Sequence, residues 1–205
     1  QVIMLSVRNI SKVYEDNIIL QDISFDLNSG EILGLVGKNG SGKSTMISII
    51  AQTIKPDKGE ILYNNANVLG DKKFLREYIG YVPQSDSLIS ELTVYEQLKL
   101  WKYITGRDVL KDKGLCQMLG LDEMFKKKIY KLSGGMKKRV SFALALAETP
   151  PILLMDEAFS ALDELYKLKL IEWFKMYKKR GGCALWCSHD KNELDILCDR
   201  IITVI

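Results

Sequence analysis

The stretch Gly37-Lys38-Asn39-Gly40-Ser41-Gly42-Lys43-Ser44 constrains this chain more than any other. It fits the pattern G-x-x-x-x-G-K-[ST], with an apolar strand-like run over residues 31–36 before it and a helical pattern over residues 43–54 after it. Glycines let such a loop curl its backbone N–H groups around an anion, and the positive end of the following helix adds to the attraction. A glycine turn that merely joins strand to helix is the alternative. The strand-loop-helix context favours nucleotide binding, with contacts expected from Gly37, Asn39, Gly40, Ser41, Gly42, Lys43, Ser44 and Thr45. Lys43 is placed to reach the β- and γ-phosphates, and the Ser44 hydroxyl to ligate Mg²⁺.

A second feature lies downstream. Residues 152–155, Ile-Leu-Leu-Met, form a continuous apolar run of the kind found in strands buried on both faces, and it ends in Asp156-Glu157. Ligands of α/β sheets gather at the carboxyl ends of their strands. Asp156 can hold Mg²⁺ through water, and Glu157 can orient a water for in-line attack on a γ-phosphate. Standing alone, such a pair is more often a helix cap or a solvated turn; beside a phosphate loop it points to hydrolysis.

The third feature repeats the first in miniature. Ser133 stands where a helix N-cap would stand, and Gly134-Gly135 leave the backbone bare at the start of a basic segment. Such an exposed helix start is an anion site, although an ordinary capped helix has the same sequence.

Taken together, the motifs resemble those of the ATP-binding subunits of ABC transporters. The phosphate loop at 37–45, Val-Pro-Gln at 82–84, Leu-Ser-Gly-Gly-Met at 132–136, the acidic strand at 152–157, Ser-Ala-Leu-Asp at 160–163 and Ser-His-Asp at 188–190 occur in that family's order and cover essentially the whole chain. The resemblance implies ATP and Mg²⁺ as cofactors. It implies two subunits, identical or paralogous, packed head to tail, so that Ser133, Gly134, Gly135 and Asp163 of one serve the ATP held by the other. It also implies that Tyr14 stacks on adenine, that Gln84 contacts Mg²⁺ and the attacking water, that Glu157 is the general base, and that His189, the single histidine, is the switch that meets the γ-phosphate or Glu157. Tyr14 could instead pack at a strand edge. Met136 departs from the family's usual Gln, and a thioether cannot return a capping-box hydrogen bond to Ser133.

The rest of the chain bounds the fold and the setting. Hairpin-like runs over residues 4–9, 18–27 and 60–63, a mostly helical middle over 94–148 broken at Gly106, Gly114 and Gly120, and β-α-β alternation after Pro150-Pro151 predict an α/β fold. The expected architecture is a P-loop NTPase core with a mixed sheet, an N-terminal antiparallel β lobe and an inserted helical lobe. One domain is expected over 1–205, with core and β lobe at 1–84 and 149–205 and the helical lobe at about 85–148. The 29 Lys and Arg against 26 Asp and Glu leave +3, spread in small clusters that include 137–139 and read as solvated surface. Nucleic acid is not the expected partner.

No apolar run approaches the ~18–20 residues that span a bilayer, and the first residues lack a signal segment. The chain is therefore expected in the cytoplasm, and the family resemblance implies a separate membrane-spanning permease that docks near residues 84–106 and holds it on the cytoplasmic face. The segment 85–106 further resembles ATPases of exporters. The alternative is a soluble ABC-type ATPase of translation or DNA repair, which usually carries a second ATPase domain or a long coiled coil between Gln84 and Leu132. A P-loop kinase or GTPase would not need the motif at 132–136. Four cysteines without C-x-x-C spacing argue against a zinc site. In an extended strand at ~3.3 Å per residue, Cys183 and Cys187 would share a face about 13 Å apart, too far for a disulfide.

Overall fold

The computed structural model describes residues 2–204. In chain order its strands are β1 (Ile3–Tyr14), β2 (Asn17–Asn28), β3 (Ile32–Val36), β4 (Lys58–Tyr63), β5 (Ala66–Asn67), β6 (Ile79–Val82), β7 (Ile152–Asp156), β8 (Cys183–Cys187) and β9 (Arg200–Thr203). The helices are α1 (Lys43–Ile50), α2 (Lys72–Tyr78), α3 (Val94–Thr105), α4 (Lys113–Met118), α5 (Gly134–Leu146), α6 (Glu164–Lys179) and α7 (Lys191–Leu197). Antiparallel and parallel strands segregate into two sheets, ordered β2-β1-β4-β5 and β6-β7-β8-β3-β9. Every neighbouring pair in the second is parallel.

Strand alternation explains how one sheet serves two cores. On β7, Leu153 and Met155 join one cluster while Ile152 and Leu154 join the other; on β8, Ala184 and Trp186 separate in the same way from Cys183, Leu185 and Cys187. The first cluster is closed by α3, α5, α6 and α7, and the second by α1 and the antiparallel sheet. Each buried aliphatic or aromatic side chain contributes about 1.5–3 kcal/mol, and the strands at the centre of the parallel sheet are buried throughout. Gly34 on β3 lacks a side chain where α7 presses closest: a Cβ there would lie 3.1 Å from Cys198 Sγ and 3.3 Å from a Leu194 methyl.

Several boundaries differ from the expectation. β1 runs past Asn9 to Tyr14, because Asn9 has φ 49° and sits at a shift of register that breaks the alternation. α1 stops at Ile50 although the apolar pattern continues to Ile54. Gln52 turns left-handed at φ 56°, and the N–H groups of Thr53 and Ile54 both return to Ser48 O. Gly106 and Gly120 close α3 and α4 with positive φ, whereas Gly114 lies inside α4. The cluster at 137–139 is not solvated surface. Lys138 is 2% exposed, and Arg139 stacks on Tyr166, 4.1 Å from the ring centroid, while donating to Leu119 O. The closing apolar run Ile-Ile-Thr-Val-Ile at 201–205 forms β9 as far as Thr203, and its last residue, Ile205, lies outside the described residues. All four cysteines are free thiols, and burial pushes those of Cys183 and Cys198 up to about 12.

Candidate functional site

Four strands of the parallel sheet deliver their carboxyl ends to one edge. β3 leads into the loop at 37–42, β6 into Pro83-Gln84, β7 into Asp156-Glu157 and β8 into Ser188-His189. The parallel registers of β6 with β7, β7 with β8 and β8 with β3 hold these ends side by side. The sequence places short polar loops after apolar strands, and the sheet converts that repetition into a single site.

The loop itself is held from within. Lys43 Nζ donates to Gly37 O at 2.8 Å and Lys38 O at 3.0 Å, so the ammonium sits inside the curl that its own backbone makes. Gly42 has φ 91°, and a Cβ on it would come within 2.8 Å of Ile19 O, so the turn into α1 excludes any side chain. α1 begins there with no side-chain cap, leaving its first N–H groups to a ligand. Ser41 Oγ is buried without a partner among the described residues. Tyr14, 43% exposed at the end of β1, lines a cavity of about 300 Å³ together with Ile19, Gly40, Gly42, Lys43, Ser44 and Thr45. Asn39 is exposed at the loop tip.

The carboxylates approach from the neighbouring strands. Ser44 Oγ donates to Asp156 Oδ1 at 3.1 Å, bringing together the two groups expected near Mg²⁺. Burial raises the Asp156 carboxyl above the ordinary carboxylate range, partly opposed by the Ser44 hydrogen bond. Among the described residues no three His, Cys, Asp or Glu side chains group as a metal cage. One hydroxyl and one carboxylate suit an ion that takes its remaining ligands from phosphate oxygens and water, as Mg²⁺ does.

Glu157 follows in a left-handed conformation, φ 49°, with its N–H donated to Cys187 O at 2.9 Å. A non-glycine residue held there is uncommon, and the bond to β8 fixes it. Its carboxylate, 12% exposed, accepts from His189 Nδ1 at 2.8 Å, and this contact raises the imidazole above its ordinary value. His189 thus meets Glu157, one of its two expected partners.

Other expected residues stand apart in the single chain. The Gln84 side chain is exposed and makes no hydrogen bond among the described residues, while the backbone on either side is gripped by Lys138. Ser133 caps α5, its Oγ accepting from Met136 N at 3.2 Å. Asp163 caps α6 by accepting from Tyr166 N. These two caps are neighbours: a Cβ on Gly135 would lie 2.7 Å from Ala161 O, so the Ser-Gly-Gly turn and the 160–163 loop touch backbone to backbone. Neither hydrogen-bonds the phosphate loop of its own chain.

Sequence reasoning missed Lys138, Asp86 and Ser141, which join the Gln84 loop to α5. No signal singled them out, because Lys138 stands inside the basic run Lys137-Lys138-Arg139.

Comparison with known proteins follows this geometry. The family model described as "ABC transporter" matches residues 20–160. The chain is 36% identical over 202 residues to the linearmycin resistance ATP-binding protein LnrL of Bacillus subtilis, covering 97% of this chain and 65% of the relative. It is 37% identical over 203 residues to the molybdate/tungstate import ATP-binding protein WtpC of Pyrococcus horikoshii, covering 97% and 58%. The chain thus spans about three fifths of the length of these relatives. A solved dimeric ATP-binding cassette in a post-hydrolysis state, bound to ADP and Pi, superposes with a TM-score of 0.84 at 29% identity, covering 98% of this chain and 94% of that one.

Proposed function

This chain belongs to the ABC transporter family, of which it forms an ATP-binding domain, and on that premise we propose that it hydrolyses ATP as half of a head-to-tail dimer and drives a separate membrane-spanning partner. The observation that carries the reading is the convergence of Lys43, Ser44, Asp156, Glu157 and His189 on one sheet edge. The proposed domain is single, 1–205, with its helical lobe over about 85–148. Among the described residues that lobe holds no strand beyond the isolated Thr93–Lys128 bridge.

In this reading the phosphate loop, Lys43 and the bare start of α1 bind the phosphates, and Tyr14 packs on the adenine. Ser44, Gln84 and, through water, Asp156 hold Mg²⁺, which when bound neutralises charge developing on the transferred phosphoryl group. Glu157 takes the proton of the attacking water, and His189 Nδ1–H orients that carboxylate. The strained backbone at 157 keeps the base from swinging away. Ser133, Gly134, Gly135 and Asp163 meet the other subunit's nucleotide. Their mutual contact, away from their own phosphate loop, supports a role across a dimer.

Docking of the permease is assigned to residues 84–106. Ile89, Tyr95, Tyr103 and Ile104 are exposed there, an apolar surface that a partner would cover. The neighbouring groove between α2 and α3 is lined by Lys72, Arg76, Trp101 and Arg107, and one Arg107 guanidinium nitrogen is buried without a partner among the described residues. No described helix is long and apolar enough to cross a membrane, in keeping with a peripheral place on the cytoplasmic face. Export is the direction proposed, from the resemblance of 85–106; the names of the relatives cover resistance and import alike.

The test is phosphate release by the purified chain. Turnover that requires Mg²⁺, favours ATP over GTP and disappears in Lys43→Ala supports the assignment. Turnover retained in Lys43→Ala removes the phosphate loop from the reaction.

A further inference from the structure

Among the described residues, the nucleotide site leaves one buried ammonium without a role. Lys138, in the second turn of α5, has a side chain 2% exposed, and its ammonium reaches Pro83 O at 2.9 Å, Gln84 O at 3.1 Å and Asp86 Oδ1 at 3.1 Å. Three N–H donors meet three acceptors, which is the full capacity of a lysine. Asp86, itself largely buried, also accepts from Ser141 Oγ at 2.7 Å, three residues further along the same helix. A charge this deep persists only when paired and hydrogen-bonded, so the arrangement holds its members tightly.

Its place in the fold gives it a task. The chain leaves the parallel sheet at the end of β6, and residues 83–86 carry it out toward the helices; α5 brings it back toward β7. Lys138 and Ser141 pin the outgoing segment to the returning helix. That helix begins at Ser133, less than two turns before Lys138. Gln84 gives the latch only its carbonyl, leaving its amide free to face a ligand. A cavity of about 290 Å³, lined among others by Pro83, Ser87, Leu88, Trp101 and Ser141, adjoins the latch, so a released segment has room to shift.

We propose that Lys138 is a positioning residue for Gln84: it fixes the Gln84 backbone to α5, so that the reach of Gln84 toward its own nucleotide follows the placement of the Ser133 end of that helix. The proposal rests on the roles given above to Gln84 and Ser133. A lysine is needed because no apolar side chain can satisfy two carbonyls and a carboxylate at once.

Lys138→Met alone strands a buried carboxylate, so the main variant is Lys138→Met with Asp86→Asn, in which Ser141 keeps its acceptor. ATP turnover is compared in this double variant, in Gln84→Ala and in the triple combination. The expected result is a kcat lowered roughly 10- to 100-fold with ATP affinity unchanged, and no further loss when the double change is added to Gln84→Ala. In the nucleotide-free double variant, amide hydrogen exchange over residues 84–88 speeds up. Ser141→Ala, which loosens Asp86 without stranding a charge, lowers kcat less and in the same Gln84-dependent way. Unchanged kcat, unchanged exchange, or an equal loss in both Gln84 backgrounds overturns the proposal. Wild-type turnover in Gln84→Ala would instead show that the role given to Gln84 was mistaken, and the proposal would fall with it.

Discussion

At the scale of residues, the Glu157–His189 pair offers the cleanest chemistry to measure, because His189 is the chain's only histidine and gives one imidazole signal. The contact with Glu157 holds its folded pKa above the ordinary 6.5. A raised value means that the pair's contribution to stability is complete below pH 6.5 and is lost as pH rises through the folded pKa. The ring is three-quarters exposed, so solvent screens the effect and it stays small. An NMR titration is expected to give a value above 6.5 in the wild type and a lower value in Glu157→Gln; identical curves in both proteins would remove the pair. Glu157→Gln also lowers turnover by about 10²–10⁴-fold while ATP binding persists, which phosphate release and equilibrium binding resolve separately. Glu157, Ser44 and Asp156 were legible from sequence because their spacing from apolar strands is fixed by the sheet. Lys138 was not legible: nothing in a one-dimensional basic run distinguishes the lysine turned inward from the basic residues beside it.

Elements add constraints that single residues do not carry. The start of α5 is the clearest case, since Ser133 caps Met136 N but residue 136 returns nothing to Ser133. At α3 the full exchange is present, with Thr93 and Glu96 each bonding the other's backbone. Met136→Gln is expected to restore that exchange at α5, adding about 0.5–1 kcal/mol to the helix start and raising turnover and dimer affinity. If both stayed at wild-type values, the cap would have no bearing on the site. Behind the sheet edge, Tyr177 of α6 shares its one hydroxyl proton between Pro150 O at 2.8 Å and Cys183 O at 3.1 Å, bridging the starts of β7 and β8. Tyr177→Phe leaves buried carbonyls short of a donor and lowers stability by about 1–3 kcal/mol with little change in kcat. Denaturant titration reads the first effect and phosphate release the second. Element types followed from hydrophobic period, but their ends did not: β1 outlasts its alternation through a left-handed Asn9, and α1 stops short through a left-handed Gln52.

Considered as a whole molecule, the chain carries two glycine-rich turns at helix starts that do not meet. The loop at 37–42 lies at the carboxyl edge of the parallel sheet, whereas Gly134 and Gly135 lie against Ala161 and Ser133 caps α5, with no hydrogen bond to that loop among the described residues. Under the proposed function a single copy has half a site on each side, and two copies head to tail would complete both. From sequence, the order of motifs implies this arrangement only through the family resemblance. Its internal linkage, from the Ser133 helix through Lys138 to Gln84, became visible only with side chains in place. The decisive measurement is the solution mass of Glu157→Gln with and without MgATP, beside the same protein carrying Ser133→Arg. The account predicts a dimer that forms only with MgATP and is lost when Ser133→Arg is added. A Glu157→Gln protein that binds MgATP yet stays monomeric, or dimerises equally well with Ser133→Arg, would contradict it.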